Sequence, residues 1–375
     1  MLYKMKLSSI GLLSFAFLLG SCIEEPKPNE QEGWPTGRNV YVAGYEGAEG
    51  NSIARLWKNG VVESLVGSDA SVLRSTSSRS VICSEARSVY VSGNDVYVAG
   101  SEDVMYGDAQ IRQSRLWKNG EIQSLSNEAF HGEAIAVFVS DNDVYVLGRE
   151  APLSAPDQWA LKYWKNGESI IFAQGHSDLY CNSIFVSNGD VYITGGGPKS
   201  FVYNTQAKLW KNGVEENLIS GTTSSWAYSV FVSDKDVYVA GASRDSPNRP
   251  TIVASLWKNG KMEELSDENS SGRALSVCVS GSDVYVAGED GGKAKLWKNG
   301  VPQEIVDDKD ARMFISVFVS DNNVYTSGYV TECKPVQGSP LSLCSLKATL
   351  WKNGQKLNLN TDNNSDSNAV SVFVK

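Results

Sequence analysis

Histidine, the side chain most suited to moving protons near neutral pH, occurs only twice in this chain of 375 residues, as His131 and His176. His131 stands two positions before Glu133, and a histidine beside a carboxylate can do acid–base work; two isolated surface histidines are the plainer reading. Two histidines leave no room for a multi-histidine metal centre, and neither a metal nor another cofactor is expected. Glu85 and Glu133 form a second pairing, since two carboxylates can flank a glycosidic bond as acid and base if the fold brings them together. Asp95, Asp143, Asp190, Asp236 and Asp283, with Asn39 and Asn323, recur before similar Val-Tyr runs. They have the look of a ligand ring, but capping of tight turns accounts for them better. Asp362-x-Asn364-x-Asp366 has part of a calcium loop without its glycine or distal glutamate. No catalytic residue is assigned from these patterns.

Whether such groups meet depends on the elements that carry them. The side chains that could form a core are plentiful: 41% of residues are hydrophobic, with 10 tryptophans and 34 glycines, and only 21% are charged, which excludes wholesale disorder. The formal charge of -9 argues against a nucleic-acid partner, whose phosphates need a basic surface. Length alone suggests two or three domains, but internal repeats override that count. The tripeptide Lys-Asn-Gly follows Trp57, Trp117, Trp164, Trp210, Trp257, Trp297 and Trp351. A second element, typically Asp-Val-Tyr-Val-Ala-Gly, carries Tyr41, Tyr97, Tyr145, Tyr192, Tyr238, Tyr285 and Tyr325. A third, commonly Ser-Val-Phe-Val, begins at Ser88, Ala136, Ser183, Ser229, Ser276, Ser316 and Ser371. Each occurs seven times.

These runs are short, rich in Val, Tyr, Phe and Trp, and bounded by Gly, Asn, Asp and Ser, so each reads as a strand. Asn-Gly after Trp-Lys suits a two-residue type I′ hairpin, and a weaker outer strand follows it, as in Val61 to Leu65 or Lys261 to Leu265. Each repeat is thus a four-stranded antiparallel sheet. The fold class is all-β: a seven-bladed β-propeller in one unit over residues 34–375. The first repeat starts at its second strand, Asn39 to Gly44, and the chain ends on an extra first strand, Ser371 to Lys375. Joined, they complete one blade and close the ring, which removes exposed sheet edges.

Lys4 and Lys6 precede an apolar run from Leu7 to Leu19, about 13 residues and too short to cross a hydrocarbon core of about 30 Å. It ends in Leu19-Gly20-Ser21-Cys22, which resembles the lipobox of bacterial lipoproteins. The resemblance implies a leader over 1–21, lipidation of Cys22 and a tether over 22–33. Glu24 and Glu25 resemble the surface-export signal of some Bacteroidetes lipoproteins, which implies an outer-membrane anchor with display at the cell surface. Ala54-Arg55-Leu56-Trp57-Lys58-Asn59-Gly60 and its six partners resemble the bacterial extracellular repeats of the HAF family. That resemblance implies a propeller outside the cytoplasm and no particular activity.

Loop lengths separate two faces. From first-strand start to second-strand Tyr is nine residues in every complete repeat, and the Asn-Gly hairpin is constant, whereas the Tyr-to-Trp distance runs from 12 to 26. Variation therefore gathers on the opposite face, where binding usually sits on a rigid scaffold, although neutral drift there is the competing reading. Three residues before each first strand, that face carries Glu85, Glu133, Tyr180, Trp226, Arg273, Met313 and Asn368. These are expected to ring the mouth of the central channel, where aromatic and charged groups suit a glycan or protein ligand. Trp159, Phe201, Tyr203, Tyr106 and Phe130 would widen the patch, and Trp34 reads as a terminal staple. Cys333 and Cys344 share the longest loop and are the expected disulfide. Cys278 replaces a first-strand Phe and reads as a core thiol. Cys83 and Cys181 precede what read as neighbouring first strands, at offsets of five and two, and a bond between them is left open. A monomeric, membrane-anchored binding module is expected, with a non-catalytic adhesin or scaffold, or a glycan-degrading enzyme, as alternatives.

Overall fold

The repeat's hairpin is a clamp. In the computed structural model all seven Asn-Gly pairs turn with φ of 50–53° at Asn and 78–89° at Gly, the left-handed geometry a type I′ turn demands. The Asn does more than tolerate that geometry. Its Oδ1 accepts the backbone N–H of the second-strand Val at 2.8–2.9 Å, as in Val96 to Asn119. Its Nδ2 donates at 2.7–2.8 Å to the acid or amide that starts the second strand. Five of those positions are aspartates, and each also takes the preceding lysine at 2.7–2.9 Å. The same lysines lie 5.2–5.4 Å from the ring centroids of the adjacent tyrosines. The aspartates therefore cap the neighbouring hairpin rather than their own turn, and the lysine and asparagine bonds hold their carboxyls below the ordinary range.

The structure describes residues 33–47, 52–65, 83–106, 108–127, 129–175, 178–198, 205–218, 224–244, 251–266, 270–305, 310–335, 342–359, 361 and 365–375. They form seven four-stranded antiparallel sheets, with no helix among the described residues. Blade 1 joins residues 40–64 to the C-terminal strand Ser367–Val374; blades 2 to 7 span 84–124, 130–175, 180–217, 224–264, 272–302 and 311–358. Val40–Glu46 pairs with Ser367–Val374, so the two ends of the chain close one ring. The chain is a seven-bladed β-propeller.

Cores sit between blades rather than within them. Each of seven buried clusters joins two neighbouring blades, and each holds one repeat tryptophan, 0–2% exposed. Trp117 of blade 2, for example, packs with Tyr41, Ala43, Leu56 and Leu65 of blade 1. Trp34 packs against the cluster shared by blades 7 and 1. The repeat glycine that ends Val-Ala-Gly is forced by close approach. At Gly100 and Gly241 a Cβ would enter the carbonyl oxygens of Glu85 and Trp226 and press on the indole of the same blade.

The innermost strands begin upstream of the Ser-Val-Phe-Val runs, at Ser84, Phe130, Tyr180, Ser224, Gly272, Ala311 and Ser367. A β-bulge just before each repeat Ser or Ala breaks the two-residue alternation. The candidate binding residues consequently lie inside strands rather than in loops ahead of them. Around the axis Phe318, Phe373, Tyr90, Phe138, Phe185 and Phe231 form a chain of rings with centroids 4.7–5.0 Å apart. Cys278 takes the seventh place, its thiol pushed up to about 11 by burial.

The sulfurs of Cys333 and Cys344 are bonded, across directly paired residues of a long hairpin in blade 7. Cys83 and Cys181 are separate buried thiols. They belong to blades 2 and 4, and blade 3 stands between them.

Six repeat serines stitch neighbouring blades together: Oγ of Ser88, Ser183, Ser229, Ser276, Ser316 and Ser371 each accepts a backbone N–H from the next blade at 3.1–3.4 Å. Ala136 interrupts the series between blades 3 and 4. Ala136→Ser is expected to complete it with the Ile184 N–H and raise the unfolding free energy by about 1 kcal/mol in urea titration.

Candidate functional site

The bulges decide which second-strand residue each candidate side chain faces. Upstream of each bulge, the candidate position faces the residue that follows the repeat glycine on the second strand. Glu85 lies opposite Ser101, Glu133 opposite Arg149, Tyr180 opposite Gly196 and Trp226 opposite Ala242. Arg273 lies opposite Glu289, Met313 opposite Tyr329 and Asn368 opposite Tyr45. Bulky candidates thus meet small partners in blades 4 and 5, while Tyr329 and Tyr45 supply the aromatic groups in blades 7 and 1.

Interactions run from blade to blade along this ring. Asn182 donates to the Ala227 carbonyl at 2.7 Å, joining blades 4 and 5. Burial raises the phenols of Tyr180 and Tyr228, and the charges of Arg273 and Glu289 also act on Tyr228. Burial likewise raises Tyr329, which feels Glu289 and Tyr45. Asn368 donates to Tyr45 Oη at 3.3 Å. The Tyr180 hydroxyl is buried and makes no hydrogen bond among the described residues. Arg273 is the exposed member of the seven, Glu133 is buried, and the other five are half-buried.

The strongest electrostatics lie at the seam of blades 2 and 3. Nη2 of Arg87, the bulged residue of blade 2, contacts Oε2 of Glu85 at 3.1 Å and Oε2 of Glu133 at 3.0 Å. Arg149 Nε meets Glu133 Oε1 at 2.8 Å, and Arg112 Nη2 meets Glu85 Oε2 at 2.9 Å. The two candidate carboxylates are therefore brought together, but by one shared guanidinium. Burial works to raise the Glu133 carboxyl, and Arg87 and Arg149 outweigh it and hold it below the ordinary range. A general acid must keep its proton near neutral pH, and Glu133 is set the other way. Burial lowers His131, whose Nδ1 is 3.4 Å from the Arg112 backbone N–H. Burial raises Asp103, 3.8 Å from Arg112.

Trp159 extends this network outward. Arg149 Cζ lies 4.5 Å from the Trp159 ring centroid, and His131 meets the ring edge-on at 5.5 Å. Trp159 and Phe130 begin strands rather than sitting in loops. His176, Phe201, Tyr203 and Cys22 lie outside the described residues, as do Asp362 and Asn364, and so does the side chain of Tyr106. No cluster of three or more metal-ligating side chains occurs among the described residues. Sequence reasoning missed Arg87, Arg112 and Arg149. For Arg149 the available signal was its place after a repeat glycine, a position that varies as widely as the candidates it faces; Arg87 and Arg112 carried no such signal.

No known family model matches the sequence, and no curated protein does. Among solved structures, a puromycin-hydrolysing peptidase of Mycobacterium tuberculosis superposes with a TM-score of 0.53 at 10% identity, over 87% of this chain and 52% of that one. An acylaminoacyl peptidase of Pyrococcus horikoshii gives 0.49 at 11% identity, over 87% and 51%. TolB from Acinetobacter baumannii gives 0.43 at 12% identity, over 72% and 65%. The chain spans about half the length of the two peptidases. At such identities the likeness is one of fold.

The Glu133 environment has a pH consequence. A carboxyl lowered on folding contributes stability that is complete above its unfolded value, about 4.3, and is lost as pH falls through the folded one. Arg87→Met removes one of its two close guanidinium partners, so its carboxyl should rise. Because Arg87 is 35% exposed, the cost at pH 7 should be modest, about 1–2 kcal/mol. Urea midpoints measured against pH should show a smaller acid-side loss in Arg87→Met than in the unaltered chain, and one that levels off at higher pH, because the folded carboxyl then titrates closer to its unfolded value.

Proposed function

We propose that this chain is a lipid-anchored, surface-displayed binding protein that holds a glycan or protein ligand on the variable-loop face of its propeller. The observation that carries this is the set of aromatic, charged and amide side chains at seven equivalent inner-strand positions, where the buried Tyr180 hydroxyl has no partner among the described residues. An unpaired buried hydroxyl is costly unless a bound group satisfies it. The opposite face offers no such freedom, because its turns are committed to the hairpin clamps.

Binding is favoured over hydrolysis because Glu133 is fastened to two arginines and held ionised, which suits positioning rather than proton donation. The tripeptide hairpins support membership of the HAF-like bacterial extracellular repeats. The Leu19-Gly20-Ser21-Cys22 sequence supports lipidation at Cys22, and Glu24 and Glu25 after it support an outer-membrane anchor and a Bacteroidetes-type surface lipoprotein. A ring whose edges close within one chain supports a monomer, and the formal charge of -9 disfavours nucleic acid.

Two measurements test the reading. Metabolic labelling with palmitate should mark the chain expressed in a Bacteroidetes host, and Cys22→Ala should abolish the label and release the protein from membranes; an equally labelled variant would end the lipoprotein reading. On glycan and protein arrays, Tyr180→Ala/Trp226→Ala should weaken ligand capture by about fivefold or more, as loss of interface aromatics does. Lys235→Ala, on the opposite face, should leave it unchanged. Capture weakened only by Lys235→Ala would refute the assignment of the face.

A further inference from the structure

Blade 3 differs from the others at its outer edge. Its fourth strand, Glu168–Gly175, has eight residues, where the other outer strands have two or four. The extra length follows the third strand back to the variable-loop face, where Gly175 pairs with Trp159. The result is a cleft of about 690 Å3 between that strand end and the ends of the inner strands, a size suited to a small ligand.

Glu150, 3% exposed, lines this cleft. Its Oε2 takes Lys162 Nζ at 2.6 Å, but its Oε1 is buried and bonded to nothing among the described residues. A buried carboxylate oxygen without a donor is expensive, and a ligand hydroxyl that reached it would supply one. Trp159 also lines the cleft. The Arg149 guanidinium covers one face of its indole and His131 abuts its edge, so the ring is held in place before any ligand arrives. Fixing an aromatic wall in advance lowers the entropy lost on binding.

The charge of the lining selects among ligands. Asp157 and Glu150 are set against one ammonium, Lys162, and Glu150 already holds it. An acidic ligand would meet uncompensated negative charge. Asp157, Gln158 and Gln174 present planar groups suited to paired hydroxyls, beside an aromatic face suited to the C–H side of a sugar ring. We infer that the blade-3 cleft is a subsite for a neutral oligosaccharide, with one pyranose ring stacked on Trp159 and a hydroxyl donating to Glu150 Oε1. The inference rests on the variable-loop face being the binding face, and it adds a definite ligand class and a place on that face. Through Arg149, which Glu133 anchors, the cleft is joined to the channel mouth.

The test is calorimetric titration of the chain with cellohexaose, laminarihexaose, mannohexaose and xylohexaose, and with hexagalacturonate as the acidic comparator. At least one neutral hexaose should bind. Trp159→Ala should weaken it about tenfold or more, and Trp159→Phe, which keeps an aromatic face, should stay within about threefold. Unchanged thermal midpoints in both variants show that the fold is intact. Failure of every neutral hexaose to bind, stronger binding of hexagalacturonate, or binding that survives Trp159→Ala would each overturn the cleft. Should Tyr180→Ala/Trp226→Ala abolish binding while Trp159→Ala does not, the cleft falls and the variable-loop face stands.

Discussion

Each blade drives one indole into the blade before it, and the closed ring follows from that packing. Trp57 sits among Tyr325, Ala348 and Leu350 of blade 7, and Trp117 among the core residues of blade 1. Removing a side chain of this size from a core typically costs about 3–5 kcal/mol, and here the contact is repeated around the circle. Apolar burial dominates it. Trp297 donates its N–H to the Leu265 carbonyl at 3.0 Å, but the indole nitrogens of Trp117, Trp257 and Trp351 are buried with no partner among the described residues. A blade that buries its face only against its neighbours has no stable end. The C-terminal strand Ser367–Val374 meets that constraint by completing blade 1.

The indole also dictates its surroundings. Its outer ring edge and the bulged inner strand together leave room only for glycine at Gly100, Gly148 and Gly241. The asparagine of the hairpin that follows it locks one face with the same hydrogen bonds in every repeat, and in five repeats the lysine adds an ion pair. Chemistry is thereby displaced to the other face, where no such clamp recurs and where strand ends differ in length. The seam of blades 2 and 3 shows what that freedom permits. Three arginines, two glutamates and an aspartate interlock there, and Arg149 serves at once as partner to Glu133 and platform for Trp159.

The ring was legible because its rules are local and repeated. Trp-Lys-Asn-Gly encodes a wedge, a clamp and a turn in four residues, and the split between Asn39 to Gly44 and Ser371 to Lys375 announces the closure. The bulges were not legible. A bulge is set by how the backbone packs on its neighbour, and Arg87, Asn182 and Tyr228 share no residue type that would mark one. Missing it put Glu85 and Trp226 three residues ahead of their strands instead of inside them. Arg149 escaped notice because cross-strand pairing joins residues far apart in sequence. The cleft of blade 3 was equally hidden, since the continuation of Glu168–Gly175 beyond four residues carries no repeat signature. Cys333 and Cys344 were easier, both lying in one loop, whereas Cys83 and Cys181 do not precede neighbouring strands, since the Ala136 repeat, blade 3, lies between them.

A scaffold held by buried indoles and carrying its binding groups on one face should let the two be separated. The most direct measurement replaces residues 151–159 of blade 3 with Gly291-Gly292, the pair that joins the same two strands in blade 6, and records urea unfolding alongside oligosaccharide affinity. The predicted result is cooperative unfolding with a loss smaller than that of one core tryptophan, below about 3 kcal/mol, together with loss of sugar binding. A transplant that unfolds the ring, or one that binds as tightly as before, would contradict the separation of scaffold from site.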